Sequence, residues 1–238
     1  MKEGIIGILG GMGPEATLDL FQKVIKNTKA VRDQDHLRVL IDNNPKIPDR
    51  TPAILGSGEN PVPMMIETAK NLERAGADFI VIPCVSAHYF INQLREGITI
   101  PVISIIEEVA GEIIRRLPSI KRTGVIATTG TIRAGLFQDR LRGIGVEVLV
   151  PPPKDQKNLV MSAIYGESGI KAGFTSGENK GKILKASNAL IKKGAQGIIG
   201  GCTEVPLIVQ QSDIEVPFFD SLDILALAAI RLARSGTH

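Results

Sequence analysis

The hydrophobic pattern of the chain alternates short aliphatic runs with longer segments of helical spacing. Residues 15–28 and 63–76 carry apolar positions at helical spacing and end in lysine-rich or glycine-containing sequence. Uninterrupted apolar strands that alternate with helices are typical of parallel sheets covered on both faces, so we predict an α/β fold. The predicted buried strands lie at residues 4–9, 37–42, 78–83, 102–105, 123–128, 146–151, 197–201 and 216–219.

The chain also repeats itself at an offset of 116 to 118 residues. The repeat predicts two similar lobes, each a mainly parallel sheet flanked by helices. We expect residues 1–104 and 219–238 in the first lobe and residues 105–218 in the second. A pseudo-two-fold axis between the lobes would place the active site in the cleft between them, with both cysteines facing it. The landmarks that share the offset are Gly7 and Gly124, Cys84 and Cys202, and Pro101 and Pro217.

A glycine-rich turn, residues 11–13, follows the first predicted strand and opens a helix. Pro14 suits the first helical position, where its missing N–H costs nothing. The free amides of such a turn suit an anion, either a carboxylate or a phosphate. Residues 11–16 also match the loose G-x-G-x-x-A pattern of dinucleotide sites, and Asp42 ends the next strand, so a nucleotide-dependent enzyme remains an alternative.

Cys84 and Cys202 are the two cysteines of the chain, and each follows a predicted strand. A lone cysteine is usually core packing, and zinc would need about four ligands where Cys84 and His88 supply a pair. A nucleophilic cysteine would need a base such as His88 beside it. A thiol with a pKa of about 8.5, lowered by a helix N-terminus, can both accept and donate a proton near neutral pH. Two such thiols on opposite sides of one carbon would racemise or epimerise it without nucleotide or metal.

Arg50 lies in the proline-containing segment that follows the second predicted strand. Its planar guanidinium suits a carboxylate. A solvated surface arginine is the alternative, but the carboxyl end of a strand is where α/β sheets bind ligands.

Composition and hydropathy argue against a nucleic-acid partner and against a membrane location. The 238 residues carry a net charge of +3 and 4% aromatic residues, without a clustered basic stripe, so we expect no nucleic-acid partner. The apolar runs fall short of the roughly 20 residues of a membrane helix, and no signal-peptide pattern follows Met1. We therefore expect a cytoplasmic protein with reduced thiols.

Four motifs in order, GILGGMGPEAT, PDRT, PC-x-[ST]-AH and GCTE, resemble the pyridoxal-phosphate-independent aspartate/glutamate racemase family over residues 7–220. The resemblance implies a two-lobed α/β homodimer that racemises a small amino acid without cofactor or metal. It implies that Cys84 and Cys202 are the two catalytic bases, that Arg50 grips the side-chain carboxylate, and that Lys171 adds a second cation. The further substrate-binding positions that it implies are Met12, Gly13, Thr51, Val85, Ser86, Thr131, Thr203 and Glu204.

One position departs from the family pattern, because many members have asparagine where this chain has Val85. Valine can neither donate nor accept a side-chain hydrogen bond. A lost bond to a charged group costs about 1.5–3 kcal/mol, roughly ten- to hundred-fold in affinity. The alternatives are therefore a racemase of broader or different amino-acid specificity, a non-catalytic amino-acid-binding relative, and a decarboxylase or isomerase relative.

Overall fold

The computed structural model describes residues 3–236 and divides the chain into two compact units. The first unit comprises Met1–Ile105 and Leu222–His238, and the second comprises Ile106–Ser221. The strands are β1 (Ile6–Gly10), β2 (Val39–Asn43), β3 (Phe79–Val81), β4 (Arg122–Ile126), β5 (Glu147–Leu149), β6 (Ile198–Gly200) and β7 (Phe218–Asp220). The helices are α1 (Pro14–Asn27), α2 (Arg50–Ile54), α3 (Val62–Arg74), α4 (Ile91–Glu96), α5 (Ile105–Arg116), α6 (Thr129–Arg133), α7 (Leu136–Arg142), α8 (Pro153–Asp155), α9 (Ser162–Tyr165), α10 (Glu178–Lys192) and α11 (Ser221–Ser235).

The first unit is built on a parallel sheet of order β2-β1-β3, in which β1 is buried along its whole length. Ile8 of β1 lies in register with Ile41 on one side and Val81 on the other. Helix α3 packs on β1 and β2 through Met65, Ala69 and Leu72, which recur at helical spacing and are buried.

The strand predicted at residues 102–105 is wrong. Val102 makes an isolated parallel bridge to Ile80, beyond the edge of β3. Helix α5 already begins at Ile105, so the chain turns away from the sheet after one pair of hydrogen bonds. The other seven predicted strands are present.

The second unit is built on a parallel sheet of order β5-β4-β6-β7. Counted along the repeat, β4, β5 and β6 correspond to β1, β2 and β3, and β7 corresponds to the bridge at Val102. Each sheet therefore has the same strand order, with β1 or β4 paired on both sides. The predicted α/β class with two parallel sheets flanked by helices is confirmed.

Helix lengths and hydropathy also bear on a membrane location. Within residues 3–236, every helix is too short or too polar to cross a bilayer.

Gly11 connects β1 to α1 in a conformation that glycine adopts readily, with φ of +90°. A Cβ at this position would lie 2.3 Å from the carbonyl carbon of Asn44. Asn44 is held there because its N–H donates to the carbonyl of Gly10 at 3.3 Å. The turn after β1 and the turn after β2 therefore touch backbone to backbone.

We expect Gly11→Ala to lower the free energy of unfolding by several kcal/mol, since backbone strain of about 1–2 kcal/mol adds to a clash with fixed main chain. Gly76→Ala is the matched control, because Gly76 has φ of +94° and no atom lies within 4 Å of its added Cβ. Urea unfolding of both variants separates strain from clash. Equal losses would show that the contact with Asn44 is unimportant.

Candidate active site

The carboxyl edge of the first sheet gathers the predicted site residues of the first unit. Met12 and Gly13 follow β1, Arg50 begins α2 after β2, and Cys84 follows β3. Parallel strands end at one edge, so these segments become neighbours although they are far apart in sequence. Met12 and Cys84 belong to one buried hydrophobic cluster, and α2 packs on the 3-10 turn Ser86–Phe90.

Arg50 is 6% exposed, so the reading as a solvated surface arginine is wrong. Its Nη1 donates to the carbonyls of Pro48, at 2.8 Å, and Ile47, at 3.2 Å. Its Nη2 donates to the carbonyl of Met12 at 3.0 Å. The guanidinium thereby joins the turns after β1 and β2 and places a buried positive charge at the sheet edge.

Cys84 is 4% exposed, and its Sγ lies 3.4 Å from Oγ of Ser86. Val85 lies between them, and its side chain is buried. The turn Ser86–Phe90 begins without a side-chain cap, so the hydroxyl of Ser86 contacts the sulfur of Cys84 and does not cap the helical turn. Thr51 is also buried, and its N–H is taken by the carboxylate of Asp49 at 2.9 Å.

His88 binds the main chain and not the sulfur of Cys84. Its Nδ1 lies 2.9 Å from the carbonyl oxygen of Cys84, and its Nε2 lies 3.1 Å from the N–H of Ile105. Since Nε2 must accept from that N–H, Nδ1 carries the proton of a neutral ring. Burial lowers the pKa of His88 to about 4, which also keeps the ring neutral. His88 therefore fixes the Cys84 turn onto the start of α5, and the ring is not arranged as the base of a nucleophilic cysteine.

The carboxyl edge of the second sheet gathers the remaining predicted residues. Thr131 lies in α6 after β4, and Cys202, Thr203 and Glu204 follow β6. The side chain of Thr128 caps α6 by accepting from the N–H of Thr131 at 3.3 Å.

Cys202 lies against a buried carboxylate. Its Sγ donates to Oε2 of Glu204 at 2.8 Å, and Oγ1 of Thr203 donates to the same oxygen at 3.3 Å. Nζ of Lys171 lies 2.5 Å from Oε1 of Glu204 and 5.6 Å from the ring centre of Tyr165. Lys171 and Glu204, both predicted as substrate contacts, are thus paired with each other here.

The expectation that a helix N-terminus lowers the thiol pKa is wrong for Cys202. Burial is the main cause that raises the pKa of Cys202 well above its usual value, and the charge of Glu204 raises it further. Lys171 opposes this effect. The helical segment that follows, Val205–Leu207, is a single 3-10 turn whose first flanking residue is Glu204 itself.

Two residues beside the turn after β4 were missed by the sequence analysis. Gln156 is buried, and its Nε2 donates to the carbonyl of Ala127 at 2.9 Å and to Oγ1 of Thr129 at 3.3 Å. Sδ of Met161 accepts from the N–H of Thr129 at 3.2 Å. The two lie five residues apart in a π-helical turn, whose wider winding brings positions i and i+5 towards one side. Hydrophobic periodicity carries no signal for such a turn.

The buried neutral ring of His88 predicts a loss of stability in acid. Between pH 6.5 and pH 4 the unfolded chain protonates this histidine and the folded chain does not, so stability falls as the pH falls through this window. From pH 7 to pH 5 the contribution is about 2 kcal/mol. We expect His88→Gln, which retains a donor and an acceptor, to lose less stability over this range in urea titrations. Parallel losses in the two proteins would contradict the assignment.

Comparison with known proteins identifies the family of the chain. The model of the Asp/Glu/Hydantoin racemase family matches residues 9–229. The broad specificity amino-acid racemase RacX of Bacillus subtilis is 28% identical over 238 residues, which cover 95% of this chain and 96% of the relative. A glutamate racemase of Aquifex pyrophilus is 28% identical over 185 residues, covering 75% of this chain and 68% of the relative.

A solved structure extends the likeness to the fold. The aspartate racemase of Picrophilus torridus aligns with a TM-score of 0.80 and 26% identity, covering 97% of this chain and 94% of that chain. The resemblance carried by the four sequence motifs is thus confirmed. The chain belongs to the Asp/Glu/Hydantoin racemase family.

Proposed function

We propose that the protein interconverts the L and D forms of aspartate or glutamate without a cofactor, by proton transfer between Cys84 and Cys202. Membership in the family makes it an isomerase of the amino-acid racemase class. The observation that carries the proposal is the equivalent place of the two thiols. Each is buried and lies two or three residues after the strand that pairs with β1 or β4, which is β3 or β6.

In the proposed reaction one thiolate removes the α-proton and the other cysteine, as a thiol, returns a proton to the opposite face of the carbon. The two cysteines exchange roles for the other enantiomer. One proton is taken and one is given, so each turnover leaves the total number of bound protons unchanged. General acid–base catalysis of this kind is typically worth about 10²–10⁴ in rate.

The α-proton is weakly acidic, so fixed donors must stabilise the charge that develops as it leaves. The buried guanidinium of Arg50 and the amides at the start of α1 supply positive potential at the edge of the first sheet. In the second unit the cation of Lys171 is paired with Glu204. Arg50 and the α1 amides are therefore the groups that support a substrate with an acidic side chain.

A second candidate is a racemase of broader amino-acid specificity. Val85 supports it, because a buried valine stands where many family members have asparagine. The relative named as a broad specificity racemase matches nearly the full length of both chains and supports it too. The two candidates share one reaction and differ in the side chain that the site accepts.

The function is tested by incubating the protein with L-aspartate or L-glutamate in D₂O. We expect proton NMR to show exchange at Cα and chiral chromatography to show the D enantiomer. The same assay over all common amino acids, with malonate and maleate as further acids, separates the two candidates. Absence of Cα exchange with every amino acid at high enzyme concentration would refute the proposal.

We expect Cys84→Ser and Cys202→Ser each to reduce racemisation by roughly 10²–10⁴-fold, because a hydroxyl does not ionise in the range where a thiol does. Initial rates from both enantiomers measure the loss, and urea unfolding shows that each variant is folded. Turnover at the wild-type rate in either variant would contradict the two-base reaction.

The role of Val85 is tested by restoring the side chain of the family pattern. We expect Val85→Asn to lower KM for aspartate or glutamate by roughly ten- to hundred-fold, through one hydrogen bond to a charged group. Val85→Leu is the matched control, because leucine has nearly the shape of asparagine without its amide. If the two variants have the same KM, Val85 does not determine specificity.

A further inference from the structure

The two cysteines differ in the chemistry of their hydrogen-bond partners. Cys84 lies beside the hydroxyl of Ser86, at 3.4 Å between Sγ and Oγ. Cys202 lies beside the carboxylate of Glu204, at 2.8 Å between Sγ and Oε2. Glu204 is 3% exposed, so water does not screen this interaction.

The hydrogen-bond partner of each cysteine determines whether its sulfur is protonated. An ionised carboxylate is an acceptor only, so the hydrogen bond between Cys202 and Glu204 requires the proton on sulfur. The ammonium of Lys171, 2.5 Å from the other oxygen, is the counter-ion of the Glu204 carboxylate. A hydroxyl can accept from a thiol or donate to a thiolate, so Ser86 is compatible with both forms of Cys84.

We propose that Glu204 is a positioning residue that holds the proton on Cys202, so that the resting protein carries a thiol there and presents Cys84 as the first proton acceptor. The catalytic meaning of this assignment rests on the proposed two-base reaction, whereas the protonation of Cys202 does not. Glu204 then acts through the sulfur, which differs from the substrate contact that the family resemblance implied.

The proton transfers of one turnover also give Lys171 a role as a counter-charge. In the first turnover the Cys84 thiolate takes the α-proton and becomes a thiol, while Cys202 gives up its proton and becomes a thiolate. That thiolate then lies beside the carboxylate of Glu204, and like charges at this distance repel. The ammonium of Lys171 compensates one of the two negative charges. Water then returns a proton to Cys202 and accepts one from Cys84, which restores the resting form of both sulfurs.

Among the described residues, Glu204 and Lys171 carry the main charges that act on Cys202, and Thr203 adds a hydroxyl on the same carboxylate oxygen. Glu204 raises the pKa of Cys202 and Lys171 lowers it, in addition to the effect of burial. Removing each charge in turn must therefore move the titration of Cys202 in opposite directions.

The test uses the full chain with Cys84→Ser, which leaves one thiol in a protein with no tryptophan and two tyrosines. The ultraviolet absorbance of the thiolate is followed against pH. We expect Glu204→Gln in this background to lower the titration midpoint by about one pH unit or more, and Lys171→Gln to raise it. Lys180→Gln is the matched control, since Lys180 pairs with Asp213 in the same unit and its loss should leave the midpoint in place.

A midpoint that stays or rises in Glu204→Gln would overturn the proposal, and so would a midpoint that stays or falls in Lys171→Gln. Lys171 is partly exposed, so its variant tests the idea even if Glu204→Gln does not fold. In the protein with both cysteines, the pH profile of kcat/KM should shift in the same two directions. Shifted midpoints without racemisation would refute the proposed function alone, and racemisation with unshifted midpoints would refute the role of Glu204 alone.

Discussion

Parallel pairing on both sides of a central strand is the constraint on which each unit depends. Strand β1 is buried along its whole length, and β4 is buried after its first residue. Short strands suffice because helices cover both faces of the sheet. The same pairing sends all strands in one direction, so their carboxyl ends meet at one edge. Turns that are distant in sequence become neighbours there, and this edge holds the candidate site residues of each unit.

Burying charge at such an edge is costly, and polar contacts offset part of the cost in both units. In the first unit the guanidinium of Arg50 donates to the main-chain carbonyls of Ile47, Pro48 and Met12, which the turns hold in place. In the second unit the carboxylate of Glu204 has a full counter-charge in Lys171. Pairing with Lys171 offsets part of the cost of burying this carboxylate.

Much of this arrangement is visible in the sequence. The aliphatic runs predicted eight strands, of which seven are present, Pro14 predicted the start of α1, and the internal offset predicted two similar lobes. The failures have local causes. Residues 102–105 are apolar enough for a strand, but α5 begins before pairing can extend. The contact of Cys202 with Glu204 depends on backbone direction over two residues, which composition and periodicity do not encode, and the π-helical turn at Gln156–Met161 has no periodic signature.

The hydrogen bond from Cys202 to Glu204 has a consequence for durability. Oxidants and alkylating agents react with thiolates, and reactivity follows exposure as well as charge. Both cysteines lie outside any disulfide and are 4% exposed, and at Cys202 the nearby carboxylate disfavours the reactive form further. Burial and the neighbouring carboxylate together protect the sulfur of Cys202 from peroxide and electrophiles. Loss of the carboxylate would make the sulfur more reactive and more vulnerable to irreversible oxidation at the same time.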